Sequence, residues 1–97
     1  MHEIDITKNI KTIEALKCAI LSDIAALYEH MRKPGQYDEI ENHLASTLIN
    51  LYLLSNRLGL DFNELHAAAI QKLRCETLET ISNGDTHALL SFLARRE

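Results

Sequence analysis

Hydrophobic residues in the first third of the chain recur at steps of three and four, which places them on one face of an α-helix. The members of this stripe are Ile10, Ile13, Leu16, Ile20, Ile24, Leu27 and Met31. The pattern predicts a first helix over residues 7–32. Pro34 disfavours helical backbone in the residue before it and Gly35 permits a turn, so the helix should end there.

A second stripe predicts a helix from residue 37 or 38 to Gly59, the expected C-terminal stop. Its predicted core positions are Ile40, Leu44, Leu48, Leu51, Leu54 and Leu58. Further apolar residues lie outside this stripe, at Ile49, Tyr52 and Leu53. The helix should therefore be central and contact more than one neighbour.

Capping signals predict two further helices. Asp61 and Glu64 have the spacing of a capping box, and the third helix should extend from there to about Ile81. Residues 82–84, Ser-Asn-Gly, should break the chain, and Asp85 should cap a short last helix. The prediction is an all-α fold in one domain over residues 1–97, with two long antiparallel helices, a third capped helix and a short C-terminal helix.

The composition agrees with an all-α fold and excludes several classes of function. The 97 residues include 16 Leu, 10 Ala and 10 Ile but no Val, with only three Gly and one Pro, which favours helices over sheets. The net charge of −4 and the scattered basic residues argue against a nucleic-acid partner. No apolar run approaches the roughly 20 residues that cross a bilayer, and the N-terminus lacks a signal-peptide core. We therefore expect no membrane partner and a cytoplasmic location.

The number of leucines predicts self-association. A chain of this size has a large surface for its volume, and it contains more leucine than one small monomer readily hides. The leucines that support this interpretation are Leu53, Leu54, Leu89, Leu90 and Leu93. We expect a bundle completed by homo-oligomerisation, as a dimer or a tetramer.

The two cysteines, Cys18 and Cys75, share no short spacing that would indicate a metal site or a redox motif. We expect both to be small buried hydrophobic residues in a reducing cytoplasm. A disulfide between them is the less favoured alternative.

Residues 15–75 resemble the MazG-like all-α nucleoside-triphosphate pyrophosphohydrolases. The sharpest part of the resemblance is the turn from Asn56 through Arg-Leu-Gly-Leu to Asp61, and it continues to the basic residues Lys72 and Arg74. In that family a helix carrying an acidic pair leads into such a turn, and the next helix carries a lysine that often has an arginine nearby. The order and the lengths of the predicted helices agree with this frame.

The resemblance implies a magnesium site, whose residues this chain lacks. In the family, one helix supplies a Glu-x-x-Glu pair and the next a Glu-x-x-Asp pair, and the four carboxylates bind magnesium, which clamps the triphosphate and activates a water molecule. The corresponding positions here are Ala19, Ser22, His43 and Ser46. The resemblance therefore implies a non-hydrolysing nucleotide-binding or assembly protein for which no cofactor is expected.

Two alternatives keep other functions open. Asp38 and Glu41 form an acidic pair one turn before the family position, and with Asp23 and Glu39 they could form a rearranged magnesium site of an active pyrophosphohydrolase. Asp23 follows Ser22 by one residue, about 100° around the helix, so it should point elsewhere. Acids in a first helical turn are also simply stabilising. The second alternative is a helical interaction module unrelated to the family.

Three further residues have both a functional and a structural interpretation. Lys72 and Arg74 match the family's basic positions and could bind a phosphate, or they could stabilise the C-terminal half of a helix. His43 could bind a transition metal, but it has no Cys or carboxylate at ligand spacing, so we expect no metal there. A polar histidine beside the core stripe is the simpler interpretation of His43.

Overall fold

The computed structural model describes residues 3–75 and 83–95, and every regular element within these ranges is an α-helix. The helices are α1 (Glu3–Met31), α2 (Tyr37–Arg57), α3 (Phe62–Cys75) and α4 (Asn83–Ala94). The all-α prediction is confirmed. Contacts divide the chain into two compact units, residues 1–60 with α1 and α2, and residues 61–97 with α3 and α4. The single-domain interpretation stays a prediction.

The first unit is an antiparallel hairpin of two helices, as the sequence predicts. At its open end, Asn9 Nδ2 donates to the main-chain carbonyl of Arg57 at 3.2 Å, and Arg57 Nη1 lies 3.4 Å from Asn9 Oδ1. The last four carbonyls of a helix have no partner within the helix. Asn9 therefore supplies the partner for one of them and fixes the alignment of the two helices.

The predicted apolar face of α1 is confirmed over its central part. Ile13, Leu16, Ile20 and Ile24 are half-buried, and Leu27 is only 8% exposed. The ends of the stripe, at Ile10 and Met31, are exposed. The helix begins at residue 3 rather than 7, because the preceding segment contains no Gly or Pro that would stop it.

The predicted core stripe of α2 is wrong in part. Ile40 and Leu54 are half-buried, whereas the remaining predicted core positions are exposed: Leu44, Leu48, Leu51 and Leu58. The side of α2 that contacts α1 carries polar residues instead. Within the first unit α2 has α1 as its neighbour, and α1 does not cover the leucine side of α2. We call Leu44, Leu48 and Leu51, which follow at steps of four and three, the leucine face.

The connection from α2 to α3 consists of two adjacent caps. Gly59 has a φ of +100°, which favours glycine. Its N–H donates to the Asn56 carbonyl at 3.2 Å, and the Leu60 N–H donates to the Ser55 carbonyl at 3.0 Å, the hydrogen bonds of a Schellman motif. These bonds end α2 at Arg57 and give the Arg-Leu-Gly-Leu segment a structural role.

The predicted capping box of α3 is confirmed. The Glu64 N–H donates to Asp61 Oδ1 at 2.8 Å, and the Asp61 N–H lies 3.5 Å from Glu64 Oε1. Together they satisfy donors that a helix N-terminus leaves without partners. The predicted extension of α3 to Ile81 lies outside the described residues.

The second unit pairs α3 with α4. His66 Nε2 donates to the Leu93 carbonyl at 2.9 Å, and Ile70 is 2% exposed. The predicted break at Asn83 and Gly84 is wrong, because α4 already begins at Asn83. Asp85 is in its first turn rather than at its cap, where its negative charge stabilises the helix dipole. Ser82 lies outside the described residues.

Both cysteine thiols are free and exposed, which corrects the expectation that they are buried. Cys18 lies two residues from both Leu16 and Ile20, on the side of α1 opposite its apolar face. Cys75 is the last residue of α3 and accepts a hydrogen bond from Gln71 Nε2 at 3.0 Å. Within the described ranges, none of the helices has the length and hydropathy of a membrane span.

Candidate functional site

Asp23 on α1 is the centre of a polar cluster between α1 and α2. His43 Nδ1 donates to Asp23 Oδ1 at 2.9 Å, and Ser46 Oγ donates to Asp23 Oδ2 at 2.7 Å. Asn50 Nδ2 adds a third bond to Oδ2 at 3.3 Å. The Asp23 side chain is 16% exposed, so the carboxylate is removed from most of the solvent and held by donors from α2. We call these four residues the Asp23 cluster.

The cluster favours the ionised form of its carboxylate. The hydrogen bond from His43, followed by the one from Ser46, lowers the pKa of Asp23 below its ordinary range. Partial desolvation raises this pKa and opposes the hydrogen bonds without cancelling them. A weaker contribution from Asn50 also lowers it. Asp23 is therefore an anion at neutral pH whose oxygens are already engaged.

Acid should remove the stabilisation that this carboxylate provides. Because the pKa of Asp23 is lower in the folded state, its contribution is fully present above the unfolded value of about 3.9 and is lost as pH falls through the folded value. Asp23→Asn should melt at a lower temperature than the natural chain at pH 7, and the difference should shrink as pH falls below about 4. The difference in melting temperature is measured by thermal unfolding of both proteins across this pH range, monitored by circular dichroism with a chelator present to remove metal ions. A difference independent of pH would contradict this account.

A second group of side chains lies beside His43, at the turn end of the hairpin. The His30 and His43 rings stack with centroids 5.4 Å apart and an interplanar angle of 18°. His30 Nδ1 contacts Gln36 Oε1 at 3.0 Å, and His30 Nε2 is 4.0 Å from Glu39 Oε2. The last turn of α1 and the first turns of α2 thus bring two imidazoles and a carboxylate together.

The residues at the four family positions differ in their contacts and exposure. His43 and Ser46 both contact Asp23, whereas Ala19 is half-buried without a polar group and Ser22 is exposed. The expectation that Asp23 points elsewhere is wrong. Asp23 follows Ala19 by four residues, so the two share the face of α1 that contacts α2. The position facing His43 and Ser46 on α1 is therefore Asp23 and not Ser22.

Of the other candidate residues, Asp38 and Glu41 belong to the first unit, and Lys72 and Arg74 belong to the second. Asp38 and Glu41 are exposed near the start of α2, and within the described residues neither joins Asp23 in a group of three or more ligand atoms that could hold a metal ion. Lys72 and Arg74 are exposed in the last turn of α3. They are two residues apart, so their side chains leave different sides of the helix. Phosphate binding by Lys72 and Arg74 stays a prediction.

Sequence reasoning missed His30, Gln36 and Asn50, and it assigned Glu39 to a rearranged magnesium site rather than to a group with His30 and His43. Two spacings could have indicated part of this set. Ser46 and Asn50 follow His43 by three and seven residues, the spacing of a polar stripe on one helix side. Glu39 precedes His43 by four residues, which corrects the statement that no carboxylate stands at ligand spacing from it. His30 and Gln36 carry no such signal, since only the folding of the hairpin brings them there.

Comparison with known proteins identifies a family for this helical chain. The model of the MazG-like family matches residues 6–86, which is most of the chain. The chain belongs to the MazG-like family. Its relation to nucleotide pyrophosphohydrolases follows from this membership, and the resemblance stated from the sequence is confirmed. A search of curated proteins and a search of solved structures found no match.

The Asp23 cluster of this MazG-like chain does not fit the magnesium ion that the family implies. Magnesium prefers near-octahedral oxygen ligands and is held by carboxylates. Here one carboxylate, Asp23, lies against the donors of His43, Ser46 and Asn50. Both oxygens accept hydrogen bonds, and an imidazole N–H occupies the space on one of them. This arrangement lacks the converging carboxylates that the family's metal chemistry requires.

Proposed function

We propose that this MazG-like protein does not hydrolyse nucleoside triphosphates with magnesium and acts as a homo-oligomeric assembly protein. The observation that carries the proposal is the set of partners of Asp23. An acid of this helical frame is surrounded by hydrogen-bond donors from α2 instead of by further acids. The cluster then joins α1 to α2 and stabilises the frame.

Electrostatics support the loss of magnesium chemistry. Mg²⁺ gives up its hydration water reluctantly, so a protein site must offer strong compensating negative charge. A single carboxylate whose oxygens already accept three hydrogen bonds offers the ion less of that charge. The bonds of Asp23 with His43 and Ser46, at 2.9 and 2.7 Å, are charge-assisted and therefore among the stronger kind. A metal ion on Asp23 would compete with these donors for the same two oxygens.

Exposed apolar surface supports assembly with a second copy. Among the described residues of the first unit, Leu27 is the only large apolar residue that is buried rather than half-buried or exposed. The leucine face is 44–57% exposed, and Ile49 and Leu53 are exposed on another side of α2. A helix that is apolar on several sides is normally covered on several sides. A second copy supplies leucine faces of the same kind, as symmetric helical oligomers do.

Pyrophosphate release tests the proposal. The purified full chain is incubated with magnesium and each common nucleoside triphosphate, beside an active pyrophosphohydrolase as the positive control. We expect no release above the protein-free reaction. A turnover of about 1 s⁻¹ or more, which is typical of enzymes, would overturn the proposal.

A binding measurement separates this proposal from the rearranged active site formed by Asp23, Asp38, Glu39 and Glu41. An active enzyme must bind magnesium and nucleotide in its folded state, and such a ligand raises the melting temperature. We expect the melting temperature to stay unchanged at millimolar magnesium and nucleotide. A rise that Asp23→Asn abolishes would favour the active site instead.

A further inference from the structure

We propose that His30, Glu39 and His43 form a site for a divalent transition metal ion of the Zn²⁺ class at the turn end of the α1–α2 hairpin. One ligand atom from each residue lies within 4.8 Å of the other two, and within the described residues this is the one group of three or more metal-binding side chains so placed. His30 comes from the last turn of α1. Glu39 and His43 come from successive turns of α2.

The two imidazoles make their hydrogen bonds through Nδ1, which leaves Nε2 of each ring for a metal ion. Asp23 Oδ1 can only accept, so His43 Nδ1 carries the hydrogen of their bond. Gln36 Oε1, an amide oxygen, likewise accepts from His30 Nδ1. In the neutral imidazole each Nε2 then keeps its lone pair. Metal-binding histidines characteristically donate their other ring N–H to a carboxylate or a carbonyl. Asp23 and Gln36 have that orienting position here.

The ligand set selects the metal. Two imidazole nitrogens and one carboxylate oxygen suit zinc and related transition ions, whereas magnesium and calcium prefer oxygen ligands alone. Three protein ligands leave a fourth position of a tetrahedral ion for water or another ligand. The site therefore differs in chemistry from the magnesium site that the family implies, and of the four family positions it uses only His43.

The distances require only a small closure. Bonds of about 2.0–2.2 Å in a tetrahedral ion hold ligand atoms about 3.3–3.6 Å apart. His30 Nε2 and Glu39 Oε2 are 4.0 Å apart. The Glu39 side chain is 56% exposed and can rotate toward the rings, while His30 and His43 are 26% and 19% exposed and remain open to an entering ion. Bound metal would join the end of α1 to the start of α2.

Titration of the metal-free full chain with Zn²⁺ tests the site. We expect calorimetry to find one ion bound per chain, with millimolar Mg²⁺ unable to displace it. Glu39→Gln and His30→Ala each remove a ligand and should weaken this binding by at least about 10-fold, the lower end of the effect of removing even a supporting residue. His87→Ala is the matched control, because His87 is an exposed histidine on α4, and it should leave the affinity unchanged.

Several results would overturn the site. These are no binding at micromolar Zn²⁺, one ion per two chains, or affinity that neither substitution changes. Equal weakening by His87→Ala would place the ion elsewhere. Circular dichroism checks that His30→Ala is folded, and Glu39→Gln, which alters an exposed side chain, keeps the test decisive if His30→Ala is not. The visible spectrum of bound Co²⁺ supplies a second readout, since its tetrahedral bands should disappear in Glu39→Gln.

Discussion

Replacing Leu44 and Leu48 together by glutamate should weaken self-association by at least about 100-fold. These residues are 53% and 57% exposed in the single chain, so a partner can still cover about half of each side chain. Covering that half contributes about 1 kcal/mol per residue, and a carboxylate buried in its place adds an unfavourable desolvation. A loss of about 1.4 kcal/mol at each position corresponds to 10-fold per substitution. Sedimentation of the natural chain and the variant over a dilution series measures the change.

The control for this experiment is Ala15→Glu. Ala15 is exposed on the side of α1 that carries Lys8, Lys11 and Ser22, so it receives the same charge away from the exposed apolar sides of α2. The control should sediment as the natural chain does. A natural chain that remains monomeric at tens of micromolar would refute assembly through this face, as would a double glutamate variant with unchanged mass. Circular dichroism establishes that each variant is helical.

The helices and their ends were predictable because their signals are local. The three- and four-residue spacing on α1 depends only on helix geometry, and the capping box at Asp61 and Glu64 lies within four residues. The predicted start of α4 was wrong for a related reason. Asn83 and Gly84 are typical of a break, but a first helical turn also admits such residues, and local sequence alone does not decide between the two.

The side of α2 that faces α1 was not predictable from local spacing. Because leucines lie on several sides of α2, their spacing alone favoured the leucine face as the side that packs in the core. The structure instead directs His43, Ser46 and Asn50 toward α1, because Asp23, 20 residues before His43, supplies their acceptor. That pairing depends on the alignment of two helices across the turn. In the register expected from the sequence, Ser22 rather than Asp23 lies opposite α2, and an error of one residue rotates a helical side chain by about 100°.

The metal-binding group shows how much of a site a sequence can give. Glu39 and His43 are four residues apart on one helix, so two of the three ligands can be recognised together from the sequence. His30 joins them only because α1 ends where α2 begins and the chain reverses at Gly35, whose φ is +75°. The sequence supplies the ligand types, and the hairpin supplies their proximity.

Leu27→Ala should destabilise the chain by about 3 kcal/mol, within the 2–5 kcal/mol range of buried leucine truncations. Leu27 is 8% exposed, and the large apolar residues around the rest of the hairpin are mostly open. Its loss therefore removes a large share of the apolar burial between α1 and α2. A small domain has only about 5–15 kcal/mol of stability, so the variant should unfold at much lower denaturant. Urea unfolding at one fixed chain concentration measures it, because association also contributes to apparent stability.

Leu21→Ala is the matched control, since it makes the same substitution on the same helix at a residue that is 69% exposed. Its effect should stay within about 0.5 kcal/mol, as for other surface substitutions. Alanine also forms helices at least as well as leucine, so neither variant weakens α1 through propensity. The difference between the two variants then isolates packing against α2. Equal losses would mean that Leu21 is covered in solution, and that the hairpin of the single chain is not the unit whose unfolding is observed.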